Sequence, residues 1–136
     1  MKTLTLLFWS WLLAAPLLGA DQLVSDRLIK AIIQVESAGR DTAIGDHGKA
    51  YGALQVRQAA VSDINRVFKT SYALPDMLVR TNGIDACRKY LSIYATPKRL
   101  GREPTSEDLS RIWNGGQHGW KKKATQKYWA KIKRQL

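Results

Sequence analysis

From residue 22 onward, apolar positions recur at helical spacing in runs that are cut by Gly, Pro and Asp. Leu23, Leu28, Ile32 and Val35, with Ile29 and Ile33 alongside, predict a helix over about Gln22 to Ser37 that Gly39 stops. The stretch GDHGKAYGALQV, from Gly45 to Val56, places Gly45, Gly48 and Gly52 within eight residues, which suits turns and a small sheet. Helical period resumes near Gln58, with Val61, Ile64 and Phe68 on one face. A segment from Asp76 to Tyr94 puts Ile84, Cys87, Leu91 and Tyr94 on one stripe, with a break or kink near Asn82 and Gly83. Pro97 and the Gly101 to Pro104 stretch predict a loop. Thr105 or Ser106 then caps a short helix, with Glu107 or Asp108 in its first turn, that reaches about Trp113. Trp113 to Trp120 reads as a loop, and the end from Lys123 as an amphipathic helix with Tyr128, Ile132 and Leu136 on one face. The pattern predicts an α+β domain, mainly α, with a small β element after the first helix.

The first twenty residues differ from the rest. Lys2, an apolar run from Leu4 to Leu18 containing Pro16, and then Gly19 and Ala20 read as a secretory signal, cut after Ala20, ahead of a single domain over residues 21–136. A retained anchor is the alternative, because Leu18 is large for its position before the cut. Either reading predicts a secreted or periplasmic domain. The chain has 136 residues, 45% of them hydrophobic, which excludes collagen-like and largely disordered classes. Its single cysteine, Cys87, allows no intramolecular disulfide, and its apolar neighbours predict a core position. With two histidines besides, neither a metal site nor a cofactor is expected.

A net charge of +11 on an exported chain points to anionic cell-wall surfaces rather than to nucleic acid. Lys121, Lys122, Lys123, Lys127, Lys131, Lys133 and Arg134 lie in the last twenty residues, which hold no acid. They make either a solvated helix face or a surface-binding segment.

Candidate chemistry rests on two carboxylates. The chain has three Glu, and only Glu36 precedes Glu103. Glu36 follows the apolar run AIIQV at a helix C-terminus, where the helix dipole and burial both push a carboxyl pKa upward. Asp46 follows ten positions later among glycines. A raised acid opposite an ionised partner suits glycoside cleavage, although Asp41 competes as the partner and a turn-forming Asp is the simpler role.

These residues also resemble a known family. VES at Val35–Ser37, the Gly45–Asp46 pair followed by YGALQV, CRKYL from Cys87, PTSEDLSRIWNGG from Pro104, and Thr125, Tyr128 and Trp129 together resemble the invertebrate-type lysozyme, or destabilase, family. More distantly the chain is similar to the lytic transglycosylase SLT domain. The resemblance implies a lysozyme-like fold and an exported, monomeric muramidase that cuts the β-1,4 bond of peptidoglycan or a chitooligosaccharide. It implies Glu36 as general acid and Asp46 as nucleophile or charge stabiliser. Gln55, Tyr51, Asn114, Gly115, Gly116, His118 and Trp120 become substrate-binding residues, with Trp113 as a further sugar platform. Three departures stand out: the family is rich in disulfides, Trp113 stands where it has His, and the interval from Glu36 to Asp46 is slightly shorter than the family's. Rival expectations are a transglycosylase leaving 1,6-anhydro ends, an isopeptidase, for which Ser37 and several Lys are present without a spacing that identifies a Ser-Lys pair, and a non-catalytic cationic wall-binding protein.

Overall fold

The computed structural model describes residues 23–136, so the expected signal at residues 1–20 lies outside the described residues. The α+β, mainly α architecture is as expected: six α-helices and a three-stranded sheet among the described residues. Helix α1 spans Asp26–Ser37. The strands β1 (Ile44–Gly45), β2 (Ala50–Tyr51) and β3 (Val56–Arg57) follow, and then α2 (Gln58–Phe68), α3 (Arg80–Tyr94), α4 (Pro97–Leu100), α5 (Ser106–Gly115) and α6 (Gln126–Lys133). Short 3-10 turns cover Leu74–Leu78, Gly119–Lys121 and Lys123–Thr125.

Helix α1 starts later than its apolar period suggests because Ser25 caps it, its hydroxyl accepting from the Leu28 amide at 3.2 Å. Its far end turns at Ala38 in the left-handed region, and Gly39 follows at φ 82°. The sheet is antiparallel in the order β1-β2-β3, pairing Ile44 with Tyr51 and Tyr51 with Val56. The buried Ser37 hydroxyl donates to the Ala53 carbonyl at 2.8 Å, which fastens the end of α1 to the turn between β2 and β3.

Helix α3 packs on α2 and α5, while α6 packs on α5 and α1. Ile32, Leu54, Ile64, Met77, Leu91, Ile112 and Ile132 are fully buried in the core they enclose. Cys87 is there too, as expected, and burial pushes its thiol pKa up.

Four local expectations are corrected. The break in the 76–94 segment falls at Val79, between the 3-10 turn and α3, because the turn closes on Asp76 through the Val79 amide at 3.1 Å. Gly83 lies inside α3, where a Cβ would stand 3.4 Å from Leu54 Cδ1, so it permits close packing rather than a kink. Phe68 is 38% exposed at the end of α2 instead of completing the buried face. Helix α4 occupies part of the expected loop because Thr96 caps it, and α5 runs on to Gly115. Thr105 is the cap of α5, in a reciprocal box with Asp108 that the buried Asp108 extends to Arg102 at 2.5 and 2.9 Å.

Candidate functional site

The C-terminal end of α1 opens into a cleft. One hollow of about 390 Å³ is lined by residues that include Glu36, Asp46, Gln55, Arg57, Tyr90, Trp113, Asn114 and Gly116. A second, of about 400 Å³, runs along Arg40, Thr42, Ala43, Ile44 and Gly45 and shares Glu36 and Gln55 with the first. The two therefore meet at Glu36. Helices α2, α3 and α5 supply one wall, and the sheet with its turns supplies the other.

Glu36 is largely buried. Burial raises its carboxyl pKa above the usual 4.5, against the lowering pull of a hydrogen bond from Tyr128 and of the charges on Arg57 and Lys131. The Tyr128 hydroxyl donates to Glu36 Oε1 at 2.8 Å from α6, ninety-two residues away. Tyr128 is itself buried, and that burial together with the neighbouring Glu36 charge raises its own pKa well above the usual phenol value. This partner was hidden from sequence reasoning, which put Tyr128 on a core-facing stripe without an acceptor.

Asp46 has the opposite environment. It is exposed at the tip of the β1–β2 hairpin, at φ 47°, and forms an ion pair and hydrogen bond with the Arg57 guanidinium. That bond and the Arg57 charge hold its carboxyl below the ordinary range. Its charge is therefore spent on Arg57 rather than offered freely to the cleft. Asp41, the competing acid, pairs with Arg80 at 2.6 Å.

The expected binding residues divide. Gln55, Asn114 and Gly116 line the first hollow, as does Trp113. Gln55 sits at φ 52°, and its amide nitrogen donates to the Ala43 and Gly52 carbonyls at 3.2 and 2.9 Å, so that nitrogen braces the hairpin wall. The Trp113 indole donates to the Leu54 carbonyl at 3.2 Å and meets Tyr90 edge-on at 5.7 Å between centroids, bridging the two walls. The other four lie outside the hollow's lining. Tyr51 packs against the core from β2, and Gly115 lies against Thr125, where a Cβ would be 2.4 Å from Thr125 Cγ2. His118 is exposed ahead of the turn at Gly119–Lys121, and Trp120 carries the Lys121 ammonium at 4.6 Å over its ring. Sequence reasoning missed Arg57, Arg40 and Tyr90. Arg57 alternates outward after the buried Val56 and faces Asp46, a signal that strand alternation could have given. Ser37 donates its hydroxyl to the Ala53 and Ile33 carbonyls at 2.8 and 3.2 Å.

Neither a family model nor a curated protein sequence matches the chain. Among solved structures it is similar to a chain in the crystal structure of Aeromonas hydrophila PliI in complex with Meretrix lusoria lysozyme. The identity is 27% over 82% of this chain and 90% of that one, with a TM-score of 0.71. That structure holds two proteins bound to each other, and the matched chain is one of them. The functional expectation is corrected accordingly. What the match records is a chain in a complex of two proteins, so the assignment as a peptidoglycan-cleaving glycoside hydrolase, with its muramidase and hydrolase labels, is withdrawn. Among the described residues no helix is long and apolar enough to cross a membrane.

Proposed function

We propose that this chain works as one half of a protein–protein pair of the PliI–lysozyme kind and meets its partner with the face that carries the cleft. The observation that carries this reading is the match across 90% of a chain solved in such a pair. The resemblance of the Val35–Ser37, Tyr51–Val56 and Pro104–Gly116 segments to invertebrate-type lysozymes supports the lysozyme side of the pair, so the partner named here is a PliI-type protein. Charge sets a condition on the partner: a chain at +11, with Arg40 and Arg57 in the cleft lining, favours an acidic counterpart and speeds its approach. Ile44, 54% exposed in the second hollow, supplies an apolar anchor beside those charges. In this reading residues 1–20 are an export signal, residues 21–136 form the binding domain, and the encounter takes place outside the cytoplasm.

The test is calorimetric titration of the chain with purified Aeromonas hydrophila PliI and, separately, with Meretrix lusoria lysozyme. Saturable binding to PliI, weakened about tenfold by Ile44→Ala, is the expected result. Binding to the lysozyme and not to PliI would reverse the sides of the pair, and binding to neither would end the proposal.

A further inference from the structure

Acidic and basic side chains are unevenly matched in this molecule. Asp26, Asp41, Asp46, Asp63, Asp85, Glu107 and Asp108 each form an ion pair with an Arg or Lys, and all of those cations precede residue 112. Beyond Asp108 the sequence holds no acidic side chain. Lys121, Lys122, Lys123, Lys127, Lys131, Lys133 and Arg134 are all exposed there, and none of them forms an ion pair among the described residues. Lys122 donates to the Gly115 carbonyl at 2.6 Å, and Lys121 lies over Trp120. Of the other five, Lys131 acts on the Glu36 carboxyl through its charge, and none forms a hydrogen bond or ion pair among the described residues.

Their spacing is regular. Lys127 and Lys131 stand four residues apart on one stripe of α6, and Arg134, the C-cap in αR conformation, follows three residues later, with rises of about 6 and 4.5 Å at 1.5 Å per residue. Lys123, four residues before Lys127, extends the row through the preceding 3-10 turn. The apolar side of the same helix is occupied, because Tyr128 and Ile132 are buried in the core. Large exposed hydrophobics, namely Ile44, Val67, Phe68 and Val79, all lie elsewhere. The row therefore has no apolar face to insert among lipid chains and no protruding aliphatic anchor of the sort that protein interfaces use. Its aromatic neighbours give little for a base to stack on, since Trp120 is covered by Lys121 and Trp129 packs against the core.

We infer that the row Lys123–Lys127–Lys131–Arg134 binds a linear polyanion, a flexible chain of repeated phosphates, by charge alone. This goes beyond the protein-binding role of the cleft and does not depend on it. Binding of that kind releases counterions. With about four phosphates engaged and a single-strand slope near −0.7 per contact, affinity should fall about 50-fold between 0.05 and 0.2 M salt.

The experiment measures binding of the chain to fluorescent long-chain inorganic polyphosphate across that salt range, with a dT oligonucleotide and vesicles containing anionic lipid as parallel arms. The stripe variant Lys127→Gln/Lys131→Gln/Arg134→Gln is compared with Lys30→Gln/Lys69→Gln/Lys98→Gln, which removes the same net charge from exposed positions elsewhere. Circular dichroism confirms that each is folded. The expected result is at least a tenfold loss and a shallower salt slope for the stripe variant only, with the oligonucleotide bound no more tightly per phosphate than polyphosphate. Equal losses in the two variants would mean that net charge acts without a site. Preference for the oligonucleotide or for vesicles, or no binding at 0.05 M salt, would also overturn the inference.

Discussion

On one side of the cleft, residues 43–57 turn three times in fifteen positions, and Asp46, His47, Gly48, Gly52 and Gln55 all take positive φ there. On the other, α5 and the turns after it hold Asn114 and Gly116 with no positive-φ residue before Gly116, by burying Ile112 and fitting Gly115 and Gly119 against neighbours. Both walls use glycine, for different reasons. Gly48 meets nothing within 4 Å of where its Cβ would be, so only its dihedral requires glycine. Gly119 has an ordinary φ, yet a Cβ would lie 1.9 Å from the Arg111 carbonyl oxygen, so only its space does. A density of glycines in a sequence therefore marks two separate physical needs, and substitution can tell them apart.

The largest effects should come from breaking each wall by its own means. Ile112→Ala removes fully buried volume behind the helical wall and should cost about 2–5 kcal/mol in urea unfolding. Gly52→Ala adds one carbon to the hairpin wall and should cost as much, about 2–5 kcal/mol, because φ is 79° and the new Cβ would meet the Met77 carbonyl oxygen at 1.9 Å. A loss below about 1 kcal/mol for Gly52→Ala would show that the β2–β3 turn yields without resistance.

Smaller changes sharpen the contrast. Gly48→Ala should cost about 1–2 kcal/mol for left-handed strain, and Gly48→Asn should recover most of it, since Asn tolerates that region. Gly119→Asn should recover nothing over Gly119→Ala, because a clash does not depend on the side chain's dihedral tolerance. Equal rescue at both positions would erase the distinction. Thr105→Ala should cost about 1 kcal/mol by removing the cap of α5.

The same contrast explains what could be read in the sequence. Apolar periodicity located α1, α2, α3 and α6, because each buries one stripe in a shared core, and glycine density located the sheet. The Thr105 cap was legible because its chemistry is local. Asp46, Gln55 and Asn114 could be brought to one cleft with Glu36, but not the terms on which they meet. The Tyr128 hydrogen bond to Glu36 spans ninety-two residues and the Trp113 bond to Leu54 spans fifty-nine, and periodicity carries no information across such separations. Gln55 showed itself as polar in a turn. That its amide nitrogen is turned inward onto the Ala43 and Gly52 carbonyls depends on a φ of 52° that no local pattern announces.

The smallest expected effect concerns the residue where the walls meet. Glu36 has a carboxyl pKa raised above 4.5, mainly by burial, so between the ordinary value and the raised one the folded chain holds a proton that the unfolded chain has lost. Over that window the unfolded state binds fewer protons, and stability conferred by protonated Glu36 falls as pH rises. Glu36→Gln removes the cost of charging a buried group while leaving an amide oxygen to accept from the Tyr128 hydroxyl. The variant should match the parent in urea unfolding below pH 4 and exceed it at pH 7, with the difference opening through the window just above 4.5. Asp46→Asn should run the other way: its carboxyl is held low by Arg57, so any small loss appears at neutral pH and disappears as the acid range is entered. Two carboxylates ten residues apart in one cleft would then be distinguished by the sign of their pH dependence. If Glu36→Gln were instead less stable than the parent at pH 7, the ionised carboxylate would be the favoured form, and the contrast between a buried acid on α1 and a paired acid on the hairpin would fail.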